Sequence, residues 1–168
     1  MRKAIIILTL IFSSFMCYCQ SNDLATRNSF TLKLPIDGIN YYQTEIAQSP
    51  YILPNNTIQI YPGEKLYIET EVLKNKIIIM KSVKEIKDST KTIVISFTHV
   101  DENNVYSRTM LDIENPFGKD LIYEARMFLM KNNKWVQTNV YPVRSMLRSI
   151  EIWPDVIVTL ALTGWEFK

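Results

Sequence analysis

The sequence has very few of the residues on which many catalytic and metal sites depend. Its 168 residues include two cysteines, four glycines and one histidine. So few glycines exclude a glycine-rich phosphate-binding loop, and His99 is the only histidine that a Ser-His-Asp triad would have. We therefore expect no cofactor, no metal site and no catalytic residues, and we predict that the protein is not an enzyme.

The N-terminal segment has the features of a secretory signal peptide. Arg2 and Lys3 form a short positive region, and residues 4–15 are mainly apolar. Two small residues, Cys17 and Cys19, then precede polar sequence. The apolar run is shorter than the roughly 20 residues that cross a bilayer, which argues against a membrane anchor.

We therefore predict an exported protein, periplasmic or extracellular. Residues 1–19 would be removed, and residues 20–168 would form a single domain with no transmembrane segment. Lipid attachment at a cysteine is the alternative, but bulky Met16 and Tyr18 stand where the lipobox pattern has a small residue. Loss of both cysteines with the signal excludes a disulfide, a thiolate zinc site and a redox role, so the apolar core alone must stabilise the domain.

The charge of the exported part is balanced. Without Arg2 and Lys3, the basic residues equal the 17 acidic ones. A nucleic-acid-binding domain needs a basic field, so we expect no nucleic-acid partner. Export and the lack of a catalytic constellation favour a non-catalytic binding module with an envelope or extracellular protein as its partner.

Alternation of apolar and polar residues predicts the fold. Turn residues separate short apolar and β-branched runs at intervals of about 8–12 residues. In residues 65–72, Leu66, Ile68, Thr70 and Val72 share one face, which we expect to lie in the core. The pattern predicts an all-β protein: an antiparallel, immunoglobulin-like β-sandwich of seven to nine strands.

Several segments carry more specific expectations. Residues 39–56 show no regular pattern, residues 142–154 form a looser stretch, and residues 156–162 are apolar on both faces, as in a central strand. Asp101–Asn104 is predicted to be the turn of a hairpin. The predicted core consists of Leu66, Ile68, Ile93, Ile95, Phe97, Leu111, Tyr123, Ala125, Val158 and Leu160.

Two short motifs resemble immunoglobulin and fibronectin type III domains. Tyr61-Pro62-Gly63 resembles the turn into their second strand, and Asp120–Ala125 resembles the start of their sixth strand. The resemblance implies that Tyr123 forms a tyrosine corner, with a packed ring and a hydroxyl that hydrogen-bonds nearby backbone. Ala125 stands where a disulfide cysteine would be.

Aromatic residues are the candidate binding side chains. Tyr41, Tyr42 and Tyr51 lie in the irregular segment, and Trp135 and Trp153 lie near turns. If exposed, their rings would stack on sugars or fill a partner's pocket, which makes a carbohydrate-binding module the alternative function and a glycan a possible ligand. Packing at the open ends of the sandwich is the competing role.

Other polar groups are expected to be structural. We expect His99 at a strand end and Asp101–Asn104 in a plain turn rather than a calcium loop. Glu69 and Glu71 lie about 6–7 Å apart on one face, which suits glycosidase-like chemistry, but that face is predicted to be solvated. Asp88-Ser89-Thr90 resembles a short bacterial O-glycosylation motif.

Overall fold

The structure, a computed structural model, describes residues 22–168, so the predicted signal peptide and both cysteines lie outside the described residues. Its elements, in chain order, are β1 (Thr26–Arg27), β2 (Phe30–Pro35), β3 (Tyr41–Ile46), β4 (Ser49–Pro50), β5 (Ile52–Leu53), β6 (Thr57–Ile60), β7 (Lys65–Leu73), β8 (Lys76–Val83), β9 (Thr92–Glu102), β10 (Val105–Glu114), β11 (Leu121–Leu129), a 3-10 helix (Met130–Asn132), β12 (Lys134–Thr138), β13 (Arg148–Trp153) and β14 (Ile157–Phe167).

Two five-stranded antiparallel sheets form the body of the protein. The first sheet has the order β13-β10-β9-β7-β8, and the second has the order β12-β11-β14-β6-β5. These two sheets confirm the predicted all-β sandwich, with ten strands rather than seven to nine. β14 lies between β11 and β6, which confirms that the doubly apolar run is a central strand. Within residues 22–168, no helix has the length and apolar character needed to cross a membrane.

The apolar core lies between the two sheets. All ten residues predicted for the core are buried. Nine belong to one cluster that draws on both sheets, whereas Val158 belongs to a second, smaller cluster. Val158 leaves the main core because a register shift against β11 interrupts the alternation of β14 beside it.

The segment 39–56 is not irregular, as the sequence suggested. It contains β3, β4 and β5, and β3 pairs with β2 in a separate hairpin. Leu32 and Leu34 of this hairpin pack with Tyr61 and Val158 in the second cluster. The prediction failed because β3 buries none of its side chains completely, so its apolar alternation is weak.

A β-bulge changes the end of β7. Leu66, Ile68 and Thr70 are buried as predicted, but Val72 is exposed. The register against β8 shifts between Glu71 and Val72. The extra residue is Ile78 of β8, which interrupts the ladder next to Val72. Val72 lies beyond this interruption and is exposed, so its assignment to the core is wrong.

The hairpins use asparagine in left-handed conformations. Asn103 and Asn104 have φ values of 53° and 62° and connect β9 to β10. Two successive positive φ values are the requirement of the two-residue turn whose twist suits a hairpin. The predicted turn is confirmed in part, since Asp101 and Glu102 belong to β9.

Tyr123 packs as the resemblance implied but lacks the expected hydrogen bond. Its ring is buried and stacks on Trp165 with a centroid separation of 5.1 Å. Its hydroxyl is buried and has no hydrogen-bond partner among the described residues. Burial raises the pKa of Tyr123. The tyrosine-corner hydrogen bond is therefore not formed.

Candidate functional site

The five candidate aromatics have different packing partners. Tyr41 faces solvent beside Lys33, whose ammonium lies 4.0 Å from the ring centroid. Tyr42, the next residue along β3, points the other way and packs against the second apolar cluster. Neighbouring residues of a strand face opposite sides, so these two rings do not form one surface.

The other three candidates pack partly or fully against other residues of the protein. Tyr51 covers the guanidinium of Arg27, which lies 4.5 Å from its ring centroid. Trp135 contacts Phe128 edge to face. Trp153 is buried, and its indole N–H donates to Thr138 Oγ1 at 3.2 Å. No ring contact recorded for the described residues joins two of the five candidates, so a shared sugar-binding platform through them stays a prediction.

Glu69 and Glu71 lie on a solvated face, and each is paired with a lysine. Lys91 Nζ lies 3.3 Å from Glu69 Oε1, and Lys81 Nζ lies 3.3 Å from Glu71 Oε1. Both carboxylates are therefore engaged in ion pairs at the surface. Over residues 22–168, no three His, Cys, Asp or Glu side chains are grouped to hold a metal ion.

His99 lies within β9 and not at a strand end, as the sequence suggested, because β9 continues to Glu102. Its Nε2–H donates to the backbone carbonyl of Pro35 at 3.0 Å, and its ring lies 4.7 Å from that of Tyr106. Its other ring nitrogen, Nδ1, is buried without a hydrogen-bond partner among the described residues. Burial lowers the pKa of His99. These contacts tie the β2–β3 hairpin to the first sheet.

The Asp88-Ser89-Thr90 motif forms a tight local turn. Asp88 Oδ1 accepts hydrogen bonds from the Thr90 backbone N–H at 3.0 Å and the Thr90 hydroxyl at 2.6 Å. These bonds lower the pKa of Asp88. Ser89 lies between them and is exposed.

Edge strands are where a β-sandwich is open to a partner, because one side of their backbone has no neighbouring strand. The four edges of the two sheets are β5, β8, β12 and β13. β5 is two residues long and is followed by Pro54, and β12 begins with Lys134 and exposes one large apolar side chain, Trp135.

β8 is partly covered and differs from β13 in its pattern. Leu24 N–H donates to Ser82 O at 2.7 Å, and Lys84 N–H donates to Asn22 O at 2.9 Å, so the N-terminal segment pairs with the end of β8. Its exposed Ile78 and Ile79 lie at the β-bulge against β7, where the regular alternation of the strand is interrupted.

β13 exposes two isoleucines on the same face. Ile150 is 47% exposed and Ile152 is 56% exposed. The pairing with β10 places Ile152 opposite Met110 and Ile150 opposite Asp112. Edge strands commonly carry charge or proline where they must stay unpaired. β13 therefore has the features of a strand that accepts another strand.

Ion pairs hold β13 in place. Arg148 Nε donates to Asp112 Oδ1 at 2.6 Å, and its Nη2 also contacts Asp112 Oδ2. This carboxylate raises the pKa of Arg148. On the other face, Glu151 Oε1 accepts from the Tyr141 backbone N–H at 2.8 Å. Both charged side chains of the strand are thus paired within the protein, and Ile150 and Ile152 share the exposed face of the strand with Arg148, whose side chain is 58% exposed.

A hollow of about 270 Å³ adjoins the start of β13. Its apolar lining comprises Ile86, Val94, Pro116, Met146 and Leu147. The remaining wall is polar: Ser89, Thr92, Glu114, Asn115 and Arg148. Three of the apolar side chains, Ile86, Met146 and Leu147, are exposed. A hollow of this size has room for one large side chain of a bound segment.

A buried asparagine fixes the loop that carries Met146 and Leu147. Asn115 Nδ2 lies within hydrogen-bonding distance of three backbone carbonyls, those of Lys119 (2.8 Å), Val143 (2.9 Å) and Arg144 (3.1 Å). Its Oδ1 accepts from the Phe117 N–H at 2.9 Å. The hollow is therefore held by specific bonds rather than by a loose loop.

This site was missed in the sequence because residues 142–154 were assigned to a looser stretch. The signal that identifies it is Ser149-Ile150-Glu151-Ile152, an alternating run between two prolines. No protein-family model matches the chain, and no curated protein or solved structure matches it either. The function is therefore argued from the geometry alone.

Proposed function

We propose that this protein is an exported, non-catalytic binding module that takes an extended segment of a partner protein as an added strand beside β13. The observation that carries the proposal is the pair of exposed, alternating isoleucines, Ile150 and Ile152, on an edge strand. In strand addition, backbone hydrogen bonds give affinity and side-chain pockets give specificity. Here the edge of β13 would supply the backbone hydrogen bonds, and the hollow would supply a side-chain pocket.

The proposal also states what the partner segment is like. Its apolar residues should alternate, so that one set lies beside Ile150, Ile152 and Met110 on the outer face of the sheet. One larger apolar side chain should reach the hollow beside Met146 and Leu147. A segment of this kind comes from an unpaired strand or a flexible tail of an envelope or extracellular protein.

Export and the closer fold relationship are part of the same proposal. Export is supported by the signal-peptide pattern of residues 1–19. An immunoglobulin-like or fibronectin-like identity is supported by the two sheets and by the Tyr61–Gly63 turn into β7. Sandwich folds serve many functions, so the binding role depends on β13 and not on the fold.

The test compares single substitutions on the two edges of the first sheet. Ile150→Lys and Ile152→Lys place a charge on the outer face of β13, where it would oppose an added apolar strand. Ile78→Lys on β8 is the matched control, because Ile78 is 47% exposed, as Ile150 is. The full chain and each variant are tagged, recovered from the native cell envelope and analysed for bound proteins. Each recovered partner is then mapped to a peptide.

The expected result is a partner peptide whose affinity falls at least about tenfold with either β13 substitution, a loss of roughly 1.4 kcal/mol. The Ile78→Lys protein should bind it as the wild type does. Binding that survives both β13 substitutions would place the partner on another surface and contradict the proposal.

A further inference from the structure

A second concave surface lies where several strands begin or end, away from the β13 isoleucines. We call it the end groove, and it encloses about 620 Å³. Its lining residues are Thr70, Glu71, Val72, Asn75, Thr90, Lys91, Phe117, Gly118, Lys119 and Phe167. They come from the ends of β7 and β14, the turn between β7 and β8, the segment before β9 and the loop between β10 and β11. Its volume falls within the usual range for small-molecule sites.

Two aromatic rings line the end groove. Phe117 and Phe167 meet edge to face with a centroid separation of 4.8 Å. Both side chains are partly buried and pack against the main core, so their positions are fixed by the fold. Rigid aromatic rings give a ligand a large apolar contact at little cost in side-chain entropy.

The rim of the end groove is polar and carries excess positive charge. Lys119 Nζ donates to Asn75 Oδ1 at 2.5 Å, and among residues 22–168 no carboxylate pairs with it. Lys91 is already bridged to Glu69, and Glu71 is bridged to Lys81. Lys119 is therefore the cation of the groove that is available to an anion.

A neighbouring hollow of about 430 Å³ shares Asn75 and Phe167 with the end groove. It adds two lysines, Lys74 and Lys76, and one carboxylate, Glu166, so this hollow also has one more positive than negative side chain. No ion pair within residues 22–168 involves either lysine. Trp165 also lines it and has a buried indole N–H without a hydrogen-bond acceptor in the described part of the chain.

From these observations we propose that the end groove binds an acidic saccharide, with a uronate-type sugar as the recognised unit. One sugar face stacks on one of the two rings, and the other ring, nearly perpendicular to it, contacts the edge of the sugar. The carboxylate accepts a charge-assisted hydrogen bond from Lys119. Asn75 and Thr90 provide the donors and acceptors that ring hydroxyls need. The end groove shares no lining residue with the hollow beside β13.

Charge and ring chemistry together favour this ligand over an acidic peptide. An acidic peptide would satisfy the lysines but offers the two phenylalanine rings no flat, partly apolar face. A neutral saccharide would satisfy the rings but leaves the excess positive charge of Lys74, Lys76 and Lys119 unmatched. A sugar with a carboxylate meets both requirements.

The test uses calorimetric titration of the purified full chain with short oligogalacturonate and short oligomannuronate. The methyl ester of each of these two uronates and a short polyglutamate peptide are the comparison probes. The variants are Lys119→Gln, which removes the cation, and Phe167→Leu, which removes the ring but keeps an apolar side chain. Lys87→Gln is the control for charge, because Lys87 is exposed and lies outside the groove.

We expect one of the two uronates to bind and its methyl ester to bind about tenfold more weakly, the value of one charge-assisted hydrogen bond. Lys119→Gln should cause a similar loss in affinity and make the affinity depend less on salt concentration. Phe167→Leu should weaken binding at low and at high salt concentration alike. Lys87→Gln should leave the affinity unchanged. The proposal is overturned if neither uronate binds at millimolar concentration, if the ester binds equally well, or if polyglutamate binds as tightly as the sugar.

Discussion

Replacing Arg27 by methionine tests how the N-terminal segment is fixed to the sandwich. The Arg27 side chain is 2% exposed, and Glu64, its ion-pair partner, is 16% exposed. Arg27 Nε lies 2.9 Å from Glu64 Oε1, and Nη2 lies 3.2 Å from Oε2. Nη2 also donates to the carbonyl of Gln59 at 2.6 Å. The guanidinium lies between two rings, at 4.5 Å from the centroid of Tyr51 and 5.0 Å from that of Tyr61.

The size of the effect follows from what the substitution leaves behind. Removing one member of a buried ion pair typically costs about 3–5 kcal/mol, because the other charge stays buried without its partner. Glu64 keeps some contact with solvent and still accepts from the Tyr61 backbone N–H at 2.8 Å. We therefore expect the lower end, a loss of about 3 kcal/mol in the free energy of unfolding.

The assay is equilibrium unfolding in urea, followed by tryptophan fluorescence. Arg27→Lys keeps the charge but cannot make the forked contact, so an intermediate loss is expected. In the double variant Arg27→Met, Glu64→Gln, no charge stays buried, and about 1–2 kcal/mol should be recovered. Lys87→Met, at an exposed position, should stay within about 0.5 kcal/mol of the wild type. A loss below about 1 kcal/mol for Arg27→Met, or no recovery in the double variant, would refute the reasoning.

Three further predictions concern single residues of the fold. Burial lowers the pKa of His99, so the folded protein favours its neutral form. The stability that this form contributes is present above about pH 6.5 and is lost as the pH falls through the folded-state pKa. The free energy of unfolding, measured between pH 5 and 8, should show this loss in the wild type and lack it in His99→Gln. Asn115→Asp replaces the buried amide donor with an acceptor facing backbone carbonyls such as that of Val143, so urea unfolding should show a loss of about 2–3 kcal/mol, and an unchanged midpoint would contradict the anchoring role. Gly164 has a φ of +66°, and an added Cβ would lie 3.4 Å from Glu124 Cγ. Gly164→Ala should therefore lower stability by about 1–2 kcal/mol, and a thermal midpoint equal to that of the wild type would contradict this.

The fold class and most of the core could be predicted from the sequence because both depend on local pattern. Successive side chains of a strand point to opposite faces, so alternation identifies a half-buried strand wherever it is strong. Leu66, Ile68, Ile95 and Leu111 are buried for this reason. Turn residues predicted the connections between strands in the same way, as at Asn103.

The same local reasoning failed where a neighbouring strand decides the outcome. Val72 follows the pattern of β7 but is exposed, because a register shift against β8 intervenes. Tyr42 lies in β3, a strand that forms because it pairs with β2, where Leu34 is opposite Tyr42. Pairing between segments is a property of the folded chain, and a single segment carries little information about it.

The candidate binding sites were decided almost wholly by tertiary structure. The sequence contains the alternation of Ile150 and Ile152, but only the strand order shows that β13 is an edge and that both side chains face outward. The sequence also contains Phe117 and Phe167, which are far apart along the chain and meet because the β10–β11 loop and the end of β14 lie together. Alternation is encoded between near neighbours, whereas a concave surface is formed by loops that only the completed fold brings together.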